Sequence, residues 1–306
     1  MPPLNSKFQK AQVQDNVKEI IIDGRKLRIR KFDITDMTKV APNPSVAMIA
    51  KRGSGKSWAI RELMWQYRDI PGGVVISRTE KMSPFFQKFF PDMFIYYRYE
   101  SEILQSFLER QERIKEKKQQ KVKVGKKIDS RAWLIMDDCL AHKGSWMKDE
   151  NIMEVFMNGR HYDLFFILTM QYPLGIGPDL RSNFDFIFIF GENFTNIQKK
   201  IYEHYAGMFP TFDAFRLVFR KCTSNFGCMV INNRVKSENV DDLVFWWRAP
   251  TDPRPNKYVG QKSFVKYHER HYDNDYKEKD KFKKIDIYGA MGRKKQCNLK
   301  VELVDQ

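Results

Sequence analysis

The chain has only four cysteines, Cys139, Cys222, Cys228 and Cys297, and no two of them stand in a CxxC spacing. A reducing intracellular compartment is therefore expected. Cys222, Cys228, His268 and His271 match no common zinc finger or ribbon, which favours core cysteines and surface histidines. The opening stretch MPPLNSKFQKAQ lacks the apolar segment of a signal peptide. The most apolar runs, LFFILTMQY and FDFIFIF, fall well short of the roughly 20 residues that a helix needs to cross a bilayer. No membrane span is expected, and no internal repeat is visible. Acidic residues are also scarce: 38 Asp and Glu against 54 Lys and Arg give a formal net charge of +16. A field of that sign points to a polyanionic partner and says nothing about the fold.

What is present is a phosphate-binding loop. The run SVAMIA ending at Ala50 reads as a buried strand, and KSWAIRELMWQYRD from Lys56 reads as a helix. Between them lie Ala50, Lys51, Arg52, Gly53, Ser54, Gly55, Lys56 and Ser57. Gly53 and Gly55 let the backbone turn its amides toward an anion at the helix N-terminus. Lys56 can then reach β- and γ-phosphates, and Ser57 can hold Mg²⁺. Only the first position departs from the usual pattern, with alanine where glycine is common.

In 306 residues the pattern favours one large α/β domain with appendages. Residues 1–44 form an N-terminal extension, whose segment 17–32 alternates about Asp23-Gly24 like a hairpin. Residues 45–250 form the core, and 251–306 a basic appendage with few apolar periods. Within the core, GVVISR (73–78) and FIYYRY (94–99) read as strands, MSPFFQKFF as a short apolar helix, and a long polar helix begins near Glu100. RAWLIMDD (131–138), LFFILTMQY (164–172) and FDFIFIFG (184–191) suit central strands buried on both faces. Thr195 and Thr211 are placed to cap helices, and CMVINN and VFWWRA read as final strands. The charge run 109–127 fits a solvated helix or a surface that touches DNA phosphates equally well. In the appendage, Tyr258, Phe264, Tyr267 and Tyr272 could stack on bases or cover the core.

The second half of the site is an apolar strand that ends in two carboxylates. Asp137, at the strand's end, would hold Mg²⁺ beside Ser57, and Asp138 could orient and deprotonate a water. Gln171 ends the next strand, where an amide can touch both the γ-phosphate and that water, because ligands of parallel sheets bind beyond the strands' carboxyl ends.

IAKRGSGKS, WLIMDD and NGRHYDLFFILTMQ, in this order and spacing, resemble the genome-packaging ATPases of nucleocytoplasmic large DNA viruses, the poxvirus-type branch of the FtsK/HerA superfamily. The resemblance covers about Val46 to Asn233. It implies a RecA-like P-loop fold of the ASCE type with strand order 5-1-4-3-2, assembly as a homo-oligomeric ring of five or six subunits, and ATP-driven movement of double-stranded DNA into a capsid. It also implies work in the host cytoplasm or the virion, beside capsid, portal or membrane-associated virion proteins. Lys56 and Ser57 match the family's phosphate-loop pair, Asp137 its metal carboxylate, Asp138 its water-activating acid and Gln171 its sensor. Asp138 stands where the wider superfamily often has the longer Glu. Arg160, in a Gly-Arg-His setting, is the first choice for a cation delivered to a neighbouring subunit, with Arg181 second. Competing readings are a plasmid- or transposon-borne translocase, a P-loop nucleoside or nucleotide kinase, and a nucleic-acid-binding protein with a relic site.

Overall fold

Five apolar runs become adjacent parallel strands, because side chains that are apolar on both sides of a strand require cover on both faces. In the computed structural model these are β3 (Ser45–Ile49), β4 (Gly73–Ser77), β6 (Ala132–Asp137), β7 (Leu164–Met170) and β8 (Phe186–Phe190). Residues 17–22, 24–139, 148–252 and 254–273 are described. Asp23 of the expected turn, Cys297 and the appendage beyond residue 273 lie outside them.

Among the described residues the sheet has eight strands. β5 (Ile95–Tyr96) flanks β4, while β9 (Cys228–Asn232) and β10 (Val244–Trp247) extend the opposite side, in the order β10-β9-β8-β3-β7-β6-β4-β5. The five strands from β8 to β4 are parallel, and β9 and β10 pair antiparallel. Counted among themselves in chain order from the strand before the Gly53–Gly55 turn, those five read 5-1-4-3-2, and β5 adds a further parallel pairing outside β4.

Alternation along each strand divides the core in two. Val46, Met48, Trp133, Ile135, Phe165 and Ile167 face one layer, together with α1 (Ile34–Val40) and α2 (Lys56–Gln66). Ala47, Ile49, Leu134, Met136, Phe166 and Leu168 face the other. That layer is covered by α3 (Ser101–Lys123), α4 (Glu150–Asn158), α6 (Thr195–Tyr205) and α7 (Phe212–Cys222). The short α5 (Pro178–Arg181) lies between β7 and β8, and α8 (Val240–Leu243) leads into β10. Gly73 has a packing reason: a Cβ there would stand 2.2 Å from the Trp133 carbonyl oxygen, forcing β4 and β6 apart.

The N-terminal hairpin forms as read, with β1 (Val17–Ile22) and β2 (Arg25–Arg30) joined through Gly24 at φ 76°. It continues into the sheet's margin, where the Phe32 amide donates to the Trp246 carbonyl at 2.8 Å. Three local expectations fail. MSPFFQKFF makes only a single 3-10 turn at Phe86–Lys88, because the buried Glu80 carboxylate accepts the amides of Phe85, Phe86 and Gln87 at 2.9–3.0 Å. FIYYRY contributes just two strand residues. Thr195 is the first helical residue and not the cap; the capping position is Phe194, whose amide is taken by the Glu192 carboxylate at 2.9 Å. Thr211 does cap α7, accepting the Ala214 amide at 3.2 Å.

The chain divides into two compact units, Met1–Val265 and Lys266–Gln306. After β10, the first unit returns across α2. Arg254 forks onto the buried Glu62 carboxylate at 2.5 and 2.6 Å, and Arg61 donates to Asn256 at 2.7 Å. Phe264, near the start of α9 (Lys262–His271), stacks on Phe94 with centroids 4.3 Å apart, so this aromatic covers the core.

Candidate active site

The loop of residues 50–55, expected to bind phosphate, joins β3 to α2 at the carboxyl edge of the sheet. Its two glycines sit at φ 77° and 101°, the left-handed region that a side chain resists. Ala50 has no such φ; it is buried, its amide donates to the Met170 carbonyl at 2.9 Å, and alanine meets that requirement. Gly55 occupies the N-cap position of α2 with no side chain bonded to the helix amides. The helices α1, α4 and α7 instead carry Asp33, Asp149 and Thr211 as caps. The open amides and the positive end of the helix dipole therefore face the cleft, as an anion site requires.

Lys56 projects from the loop onto the neighbouring strands. Its ammonium lies 2.8 Å from Asp137 Oδ1, 3.0 Å from Asp138 Oδ2 and 3.3 Å from Thr169 Oγ1. Burial pulls its pKa down, but the two carboxylates outweigh that, and the group is held above its ordinary value. The cation is secure at any physiological pH.

Asp137 is buried, and both of its oxygens accept hydrogen bonds. Its Oδ1 accepts from Thr169 at 2.7 Å and from Lys56, and its Oδ2 accepts from Ser77 at 3.1 Å. Consecutive residues of a strand point to opposite faces. Asp138 escapes that rule by turning to φ 52°, so both carboxylates converge on one ammonium. Its amide donates to Thr169 Oγ1 at 3.1 Å, and its Oδ2 accepts from Gln171 Nε2 at 3.1 Å. The second oxygen, Oδ1, is buried with no hydrogen-bond partner. An unpaired buried carboxylate oxygen is costly unless something else is to bind there. The neighbouring Cys139 thiol is pushed up to about 12, by burial first and then by the two carboxylates, so it is no nucleophile at neutral pH.

The fold thus brings Lys56, Asp137, Asp138 and Gln171 together, with Ser57 exposed on the first turn of α2 in the same cleft of about 1180 Å³. Two residues of this network were not singled out from the sequence, Thr169 and Ser77. Thr169 carried a signal, as the one polar side chain in the run LFFILTM.

Arg160 stands elsewhere. It precedes β7, whereas Gln171 follows it, so the seven-residue strand separates them by roughly 20 Å. There Arg160 donates to Asp185 Oδ1 at 2.7 Å, beside Arg234 at 3.2 Å. Arg181 donates to the Ile176 carbonyl at 2.9 and 3.1 Å and covers the Tyr205 ring. Neither reaches the phosphate loop of its own chain. On α3, Lys118 is bound to Ser130 at 2.9 Å and Asp163 at 3.1 Å, and Lys115 to the His161 carbonyl. Lys117, Lys121 and Lys123 are exposed.

No protein-family model matches the chain. Uncharacterized protein L437 of Acanthamoeba polyphaga mimivirus is 45% identical to it over 284 residues, 90% of this chain and 98% of that protein. Uncharacterized protein 088R of Invertebrate iridescent virus 3 is 31% identical over 248 residues, covering 76% of this chain and 89% of that one. Among solved structures, the genome packaging NTPase B204 from Sulfolobus turreted icosahedral virus 2, in complex with sulfate, aligns with a TM-score of 0.50 at 14% identity. The alignment covers 71% of this chain and 99% of B204. At that identity the likeness is one of fold. Among the described residues no helix is long and apolar enough to cross a membrane.

Proposed function

The chain belongs to the family of large-DNA-virus proteins that includes L437 and 088R, its motifs resemble the packaging ATPases of such viruses, and on that premise we propose that it is an ATP-driven motor that moves double-stranded DNA into a capsid. One observation carries the catalytic part: phosphate-loop Lys56, both strand-terminal carboxylates and Gln171 meet within hydrogen-bond distance. Lys56 and the open amides of α2 bind the phosphates. Ser57 and Asp137 would hold Mg²⁺, which when bound would neutralise phosphate charge. An oxygen-rich pair of one exposed hydroxyl and one carboxylate suits that hard ion. Asp138 accepts the proton of the attacking water through its unpaired oxygen, and Gln171 orients both.

The +16 charge and the exposed Lys117, Lys121 and Lys123 supply a surface for DNA phosphates. A ring places each site against a neighbour, and a cation serving that neighbour stands away from its own loop. Arg160, exposed at the opposite edge of the sheet, has that freedom, and Arg181 is the second candidate.

The test is ATP hydrolysis measured with and without double-stranded DNA, alongside the oligomeric state. Strong stimulation by DNA of a ring is the expected result. Transfer of phosphate to a nucleoside acceptor, with no response to DNA, overturns the motor in favour of a kinase. In mixed rings, Arg160→Ala and Lys56→Ala subunits, each inactive alone, should regain partial activity; no recovery removes Arg160 from the trans role.

A further inference from the structure

The cleft above the phosphate loop has two apolar flanks. Met82 and Phe85 follow β4, and Phe226 lies in the turn between α7 and β9. Strand order decides which of them meets the nucleoside. The terminal phosphate belongs at Lys56, whose partners Asp137 and Thr169 are on β6 and β7. A ligand whose γ-end lies on that side of β3 has its other end toward β8 and β9, away from β4. Phe226 is there: a Cβ on Gly55 would lie 3.5 Å from its carbonyl oxygen and 3.6 Å from its own Cβ.

Phe226 is also hard to explain by packing. It holds a left-handed backbone at φ 58°, directly after Asn225 at φ 57°, and the residue is 70% exposed. Asparagine visits this region readily, whereas a bulky aromatic does so at a steric cost. The glycine of the turn is spent one residue later, where a Cβ on Gly227 would meet the Cys222 carbonyl at 2.4 Å. A strained position therefore keeps a large ring that buries little, at the mouth of the cleft.

Resting on the nucleotide-hydrolase reading, we propose that Phe226 is the stacking platform for the base of the bound nucleoside triphosphate. Asn225, Arg248 and Thr251 line the same cleft and offer polar groups to the base edge. Stacking on a single aromatic is worth enough to read directly in affinity, and it needs no particular base.

The experiment is equilibrium binding of ATP and of inorganic tripolyphosphate to the full chain, each with Mg²⁺. Phe226→Gly should weaken ATP about tenfold, equivalent to about 1.4 kcal/mol, while tripolyphosphate binds as before. Phe226→Tyr should retain ATP affinity. The melting temperature of Phe226→Gly should hold or rise, because glycine accepts the left-handed backbone. Unchanged ATP affinity in Phe226→Gly, or equal loss for both ligands, overturns the platform and leaves the phosphate site standing. A wild-type chain that binds neither ligand overturns the underlying nucleotide reading as well.

Discussion

Each end of the parallel sheet is built around a buried aspartate, and the two are wired in opposite ways. At the amino edge Asp185 accepts from the Ser45 amide at 2.9 Å and the Ser45 hydroxyl at 3.0 Å on one oxygen, and from Arg160 and Arg234 on the other. Both oxygens serve the fold: one joins the starts of β3 and β8, and the other ties in Arg160 before β7 and Arg234 after β9. At the carboxyl edge, Asp137 and Asp138 divide a single ammonium, and one oxygen of Asp138 is left over. The first arrangement is complete as it stands. The second is complete only with something more in it, which is how a binding site differs from a structural clamp built of the same chemistry.

The comparison breaks most visibly at Lys56. Lys56→Ala should lower phosphate release by about 10³-fold, the upper scale for losing one preorganised charge-stabilising group, with the circular dichroism spectrum kept. Turnover at the wild-type rate would mean that the carboxyl edge is a clamp too. Next is Asp138→Asn, expected to cut turnover about 10²-fold while ATP affinity stays within a few-fold, as loss of a positioned general base does. Normal hydrolysis by that variant would move water activation to another residue. Thr169→Val sharpens the picture further. It removes the hydroxyl that joins Asp137, the Asp138 amide and Lys56, and should slow turnover about tenfold through misplacement, the scale seen for supporting groups. Equal rates in the variant would reduce Thr169 to a packing residue. Smallest for activity is Asp185→Asn, predicted to leave turnover intact and to cost roughly 2 kcal/mol in denaturant unfolding. That figure is kept low because both arginines are substantially exposed. A loss of turnover with stability retained would show that Asp185 positions Arg160 for its trans role.

The glycine-bearing turn between β3 and α2, the five parallel strands and the acidic end of β6 were legible in the sequence, because each depends on a local spacing or on a continuous apolar run. The Thr169 hydroxyl was not. A threonine within a strand ordinarily reads as a β-branched filler, and only the register of β6 against β7 brings it to Asp137. The pairing of Arg160 with Asp185 was hidden for a related reason, since the partner comes from a different strand and no periodicity links the two. MSPFFQKFF misled because its helical apolar spacing is overridden by the Glu80 carboxylate, which takes the very amides that a helix would have used differently. Phe226 escaped notice altogether: its significance lies in backbone handedness and exposure, neither of which composition records.

The shared ammonium at the carboxyl edge has a consequence for selectivity. One positive group stands against two negative ones, so an arriving anion must outbid carboxylates already in contact at 2.8 and 3.0 Å. A lone orthophosphate would bring fewer contacts to that competition than a longer chain of phosphates. A polyphosphate gains the loop amides and the helix terminus as well, and can draw the lysine away. The cleft in this sense favours a ligand whose charge extends along the whole loop over one that meets the lysine alone.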